Sequence, residues 1–298
     1  MVVFKRPDGT LLKKLPPFRR LNPYLMNSRV ESTIFIPFHV DVTHTLDYLD
    51  SLEKKTGKKI SVFAVVLAAC VRTFALRPEL NRFCVGTKLY QRNQIVFSFI
   101  AKKQFTDRGK ETNVKMVFSP YDTLFDVIER LEKELHIAKT AKDYYQDKEV
   151  KSFGKLPGFV LRLLIGVFRF LDRHNLAPGS MIRNDPLYCS AYLTNMGSVG
   201  MKLGPFHHLF EWGTASLFLG ISQYTKRPVV NEEGEIAVRE ILDFIVSWDD
   251  RIADGFYGQK SAERLINFIE NPELLEEVPE IPEETLKELQ LAKDYKPR

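Results

Sequence analysis

Cysteine is scarce: Cys70, Cys84 and Cys189 are the only three in 298 residues, odd in number and isolated. That excludes a disulfide framework and a paired-cysteine zinc site, and it fits a reducing compartment. The N-terminus, MVVFKRPDGT, has no apolar signal-peptide core, so the expected location is the cytoplasm. No Gly-rich phosphate loop or nucleophile elbow occurs. His39, His44, His136 and His174 are scattered without metal-ligand spacing, so no metal is expected and these histidines read as structural or solvated. No run of one charge occurs either. The 43 basic residues are spread among 38 acidic ones for a net charge of +5, with no Arg/Lys run interleaved with stacking aromatics, which argues against a nucleic-acid partner.

What is present is ordinary for a soluble globular protein: 44% hydrophobic and 27% charged residues. A chain this long buries a sizeable core. Residues 1–33 are rich in Pro and Arg and lack clear periodicity. Alternation and β-branching predict a strand from Thr33 to Thr43, with Thr43 as the N-cap of a polar helix to about Lys55. Ser61 to Arg77 is nearly all apolar, too long for a buried strand and stopped by Pro78, hence a buried helix. Strands are predicted near Phe83–Tyr90, Ile95–Lys102 and Asn113–Ser119, then an amphipathic helix from Thr123 to Lys142. Further strands are expected at 187–199 and 214–222, followed by a hairpin at Val229–Val238, a strand Ile241–Trp248 and a last core helix Gly258–Glu270. Residues 1–275 read as one domain and 276–298 as an acidic C-terminal tail.

Leu156 to Leu171 is a strongly apolar helix within an extra stretch of about 155–172. Lys155, Arg162, Arg169 and Arg173, spaced by seven, seven and four, form a basic stripe along it. The run is about 16 residues where a span needs roughly 20. A helix packed on the domain or on a neighbouring subunit, stripe to solvent, is the expectation. An interfacial membrane helix with its basic residues toward headgroups is the alternative.

The segment Ser247-Trp248-Asp249-Asp250-Arg251-Ile252-Ala253-Asp254-Gly255 resembles the Asp-His-Arg-x-x-Asp-Gly signature of the dihydrolipoyl acyltransferase catalytic domain. It also resembles the His-x-x-x-Asp-Gly signature of chloramphenicol acetyltransferase. Four other stretches in family order carry the resemblance: Ile36–Thr43, Pro78-Glu79-Leu80-Asn81, Leu193–Gly200 and Leu217–Ile221. The resemblance implies an α/β fold of the chloramphenicol acetyltransferase type. That is a two-layer sandwich of mixed sheet and helices, assembled as a homotrimer with each site at a subunit interface. It implies coenzyme A as the acyl donor and a small-molecule or carrier-bound acyl acceptor, with Asn195, Gly197 and Ser198 on the cofactor side. Thr194 takes the place of the hydroxyl that donates to the oxyanion. Asp254 takes the place of the structural Asp, expected as a buried carboxylate paired with an Arg, Arg29 by position. No lipoyl domain with its Asp-Lys-Ala hairpin is read ahead of the catalytic region.

The family's general base is a His, and its place is held by Asp250. A free aspartate, with a pKa near about 3.9, is a poor base for a thiol near about 8.5. Burial and the neighbouring acids Asp249 and Asp254 raise it, while Arg251 opposes the shift. His207 and His208, in the longer loop Met201–Gly213 and near Glu211, have the right chemistry for a base without such help. Two readings stand: a free-standing CoA-dependent acyltransferase using Asp250 or His208, and a noncatalytic trimeric scaffold or binding protein that keeps the fold. A peripheral membrane role through the extra helix is the least favoured.

Overall fold

The computed structural model describes residues 6–102, 109, 111–140, 156–231 and 233–292. A strand β1 (Gly9–Leu11) and a helix α1 (Pro17–Leu25) come first. Both lie where the sequence offers no periodicity. Pro17 occupies the first turn of α1, where a missing N–H costs nothing. Next are β2 (Thr33–Asp41), α2 (Thr43–Thr56) and α3 (Val62–Leu76). Thr43 does not cap α2 as expected: it is the first helical residue, and its hydroxyl accepts from the amide of Glu240. Ser61 does cap α3, accepting from the amide of Ala64. The buried charge of α3, Arg72, donates to the carbonyls of Leu274 and Glu277.

The predicted strand 83–90 is instead a hairpin of β3 (Arg82–Val85) and β4 (Lys88–Arg92), turned at Gly86 with φ of 58°. The following strands β5 (Ile95–Lys102) and β6 (Glu111–Phe118) lead into helix α4 (Leu124–Thr140). Helices α5 (Gly158–Arg173) and α6 (Gly179–Asn184) precede β7 (Ala191–Asn195) and β8 (Leu217–Ile221). The hairpin and final strand expected at 229–248 are β9 (Thr225–Val230) and one continuous β10 (Ile236–Asp249). Helix α7 (Gly255–Glu270) follows, and the tail carries a short helix α8 (Glu283–Leu289) with Leu289 buried.

Strands β2-β10-β8-β7-β5-β6 form one sheet in that order, with β9 paired to β10, while β1-β4-β3 form a second, smaller sheet. The β5–β7 and β7–β8 pairs are parallel and the other pairs of the large sheet antiparallel, so it is mixed, as expected. Its two faces are filled differently because side chains alternate along each strand. Phe97, Leu193, Leu219, Val246 and Trp248 join α3, α4 and α7 in the main core. Tyr192, Phe218 and Leu209 form a separate cluster on the other face. Cys70, Cys84 and Cys189 are all free and buried. Burial pushes the thiols of Cys70 and Cys84 up to about 12 and that of Cys189 to about 11.

Glycine is required where α7 crosses the sheet. A Cβ on Gly258 would meet the Trp248 ring at 2.3 Å, whereas one on Gly255 meets nothing within 4 Å. Gly258→Ala is expected to cost about 1–3 kcal/mol from overpacking. Urea unfolding should give a lower midpoint for it at unchanged slope, and no loss for Gly255→Ala.

Candidate functional site

The signature closes the end of β10 with a buried clasp. Asp249, fully buried, accepts from both Nε and Nη2 of Arg251 at 2.8 Å and from the Ser32 hydroxyl at 2.9 Å. Arg251 also donates to the carbonyl of Met26. Burial works against the Arg251 cation, but the hydrogen bonds and charge of Asp249 hold its pKa above the ordinary value. This clasp stands where the resemblance led us to expect Asp254 and Arg29. That expectation is corrected. The Asp254 side chain is 65% exposed and caps α7 by accepting from the amide of Tyr257; its nearest cation is Arg19, at 3.9 Å. Arg29 is buried but donates to backbone carbonyls, Cys84 at 2.8 Å and more weakly Phe210 and Glu211. The physical reason is position. Asp249 still belongs to the strand and points into the protein, while Asp254 already stands at a helix start, where a carboxylate serves exposed amides.

Asp250 is half-buried between these two acids. Its backbone is fixed at both ends, the amide donating to Ser32 and the carbonyl accepting from Arg19 of α1. Loss of solvation raises its carboxyl pKa, Arg19 lowers it, and Asp249 and Asp254 raise it further, for a net upward shift. The sequence reading missed Arg19 because it found no helix at 17–25. The Pro16-Pro17 pair was the available signal for a helix start there.

Strand register decides which residues can meet. Thr194 pairs with Gly220, and Gly220 pairs with Ile245. Asp250 lies five residues beyond Ile245, so it is about 17 Å farther along the strand direction, at the opposite end of the sheet. One chain therefore does not bring Thr194 and Asp250 together. The histidines lie on the row between. His207 stacks on Phe218 at 4.2 Å, its Nδ1 lies 2.6 Å from the carbonyl of His208, and its own carbonyl accepts from Ser247. A carbonyl only accepts, so Nδ1 is the donor in this contact. His208 is exposed and edge-on to Phe35 at 5.3 Å. The expected carboxylate neighbour is elsewhere: Glu211 accepts from the amide of Val30. Asn195 ends β7, and Ser198 donates to its carbonyl. Gly197 packs so tightly against Ser222 and Gln223 that a Cβ would approach the Ser222 carbonyl to 2.4 Å.

His39, set aside as structural by the sequence reading, has its Nδ1 2.5 Å from Asp243, whose carboxylate Arg227 also clamps. It shares the sheet face of Thr194 but sits three strands away, about 14 Å. An apolar cavity of about 80 Å³ lies between Trp248, Leu219, Phe74 and Leu265. It is on the helix-covered face of the sheet, opposite to Thr194. Among the described residues no cluster of His, Cys, Asp and Glu is placed to hold a metal.

With this geometry the chain was compared with known proteins. The model of the 2-oxoacid dehydrogenases acyltransferase (catalytic domain) family matches residues 189–276. The lipoamide acyltransferase component of the branched-chain alpha-keto acid dehydrogenase complex of Bacillus subtilis (strain 168) is 23% identical over 222 residues. That alignment covers 72% of this chain but 41% of the relative, so the chain spans less than half of that protein's length. Dihydrolipoamide acetyltransferase from Azotobacter vinelandii has a similar fold, with a TM-score of 0.57, 15% identity, and 89% of this chain and 93% of that one covered. The roles of a serine, a histidine and an asparagine in its catalytic mechanism have been investigated. A chloramphenicol acetyltransferase matches with a TM-score of 0.55 and 11% identity over 88% of this chain and 99% of that one.

The clasp and the cap make opposite predictions for two acids five residues apart. Asp249→Asn breaks a buried pair, at about 3–5 kcal/mol, and should lower the melting temperature on the order of 10 °C. Asp254→Asn keeps an equivalent cap and should leave the melting curve nearly unchanged.

Proposed function

We propose that this chain, whose residues 189–276 match the catalytic-domain model of the 2-oxoacid dehydrogenases acyltransferase family, transfers an acyl group from coenzyme A to a thiol or hydroxyl acceptor at a site completed by a second copy. The observation that carries this reading is the sheet face shared by Thr194 and the histidine loop. Thr194 is half-buried near the end of β7 and His208 is exposed, so a second copy packed on that face would close the site. Exposed apolar side chains support such assembly, among them Phe18, Leu21, Tyr24 and Leu25 of α1, and Leu203 and Phe206 of the histidine loop. A closed ring of like copies is the economical arrangement for a contact between two different surfaces, and the family resemblance makes it a homotrimer. Light scattering should give three times the 34.5 kDa chain mass.

In the chemistry that we propose, an imidazole takes the proton of the acceptor as the acceptor attacks the thioester carbonyl. Thr194 donates to the oxyanion of the tetrahedral intermediate. Collapse breaks the carbon–sulfur bond, and the departing thiolate takes back the proton from the imidazolium, leaving free coenzyme A and the acylated acceptor. His208 is the base in this reading, since its ring is exposed to an incoming acceptor. His207 positions it, because its Nδ1 holds the His208 carbonyl and its ring is fixed on Phe218. Asn195, Gly197 and Ser198 lie on the coenzyme side. Asp250, its backbone held by Ser32 and Arg19, serves the turn.

Acyl-CoA turnover against small thiols and alcohols tests this. His208→Ala should lower turnover by a hundredfold or more, His207→Ala by less, and Asp250→Asn should leave it within a few-fold. Loss of activity in Asp250→Asn with full activity in His208→Ala would replace the imidazole with a raised-pKa aspartate. The carboxylate at the signature's base position favours a second reading, a noncatalytic trimeric scaffold. A wild type that neither binds coenzyme A nor turns over selects it.

A further inference from the structure

Helix α5 has three faces, and two of them are in solvent. Phe168 is its one buried side chain, stacked on Trp212 at 5.0 Å, and Asp172 turns inward to pair with Arg6 at 2.9 Å. At 100° per residue, Phe159, Leu163, Val167 and Phe170 fall on a different face. They are 76%, 65%, 48% and 60% exposed. Arg162, Arg169 and Arg173 form the third face along one border of that apolar strip, and all three are exposed. Lys155, the other member of the stripe read from the sequence, lies outside the described residues. The expectation of a helix packed on the domain or on a neighbouring subunit, stripe to solvent, holds for the arginines, and the apolar strip is not packed on its own domain.

We infer that α5 is a docking helix for an anionic lipid surface, with Phe159, Leu163, Val167 and Phe170 entering the acyl boundary and Arg162, Arg169 and Arg173 meeting the headgroup phosphates. Charge selects this occupant. The helix holds a single acid, Asp172, and Arg6 occupies it. The exposed arginine row therefore has no acid of its own helix to meet it, and a helix-on-helix contact with a second copy would bring none. Lipid phosphates supply that missing charge, and an apolar strip bordered by basic residues is the pattern of a helix lying in the membrane interface. The sixteen residues of α5 make a rod about 24 Å long, suited to lie on a bilayer. Among the described residues no helix is long and apolar enough to cross one. This inference is independent of acyl transfer and needs no substrate.

Flotation of the purified chain with phosphatidylcholine vesicles, with and without a third of phosphatidylglycerol, tests it. Three arginines near the surface predict binding to the anionic vesicles about a hundredfold tighter than to neutral ones, weakened by salt. The double variant Leu163→Glu, Phe170→Glu should stay in solution. Both side chains are exposed, so its melting curve should match the wild type. Arg162→Glu with Arg169→Glu should remove the preference for anionic vesicles. Equal binding to both vesicle types overturns the anionic assignment. A wild type that floats with neither overturns the inference altogether. If, in addition, Leu163→Glu, Phe170→Glu lowers the mass by light scattering, the strip is an interface between copies of the chain.

Discussion

The structure depends on the register of β10. In its C-terminal part, from Ile241 to Trp248, this strand lies between β2 on one side and β9 then β8 on the other, and a one-residue slip would exchange its two faces. Trp248 and Val246 would leave the helix layer, and Ser247 and Asp249 would enter it. The Asp249 carboxylate blocks the slip by its own chemistry. It is stable in the interior only where Arg251 and Ser32 reach it, and an unpaired buried charge is costly. Packing fixes the strand along its length and the ion pair fixes its end.

The same register separates the chemical groups. Thr194, the loop histidines and the signature turn fall on successive rows of one sheet, each row about 7 Å from the next. Within a single chain these groups therefore stay apart. The large loop from Met201 to Gly213 occupies the middle rows, held down by Pro205 against Gly220 and by the His207 ring on Phe218. The loop therefore covers this face of the sheet.

Much of the fold was legible in the sequence because its strongest signals are local. The long apolar run of α3, with Ser61 before it and Pro78 after it, announces its own ends, and five motifs in family order gave the architecture. Three features were not legible, each for a physical reason. α1 was hidden because Pro23 interrupts it and its apolar side chains Phe18, Leu21 and Leu25 stay exposed instead of joining the core. The Asp249–Arg251 clasp was hidden because adjacent acids are indistinguishable until strand and helix ends decide which points inward. The separation of Thr194 from Asp250 is a matter of register across three strands, and no spacing along the chain encodes it.

The burial of the cysteines reaches past the fold. Cys70, Cys84 and Cys189 lie away from solvent, and their thiols stay protonated at neutral pH. Disulfide reagents attack thiolates that they can reach, so the folded protein is nearly silent toward them. A colorimetric titration of any added or released small thiol therefore reads against a quiet background. The slow appearance of protein thiols in the same reagent becomes a separate clock for the opening of the core.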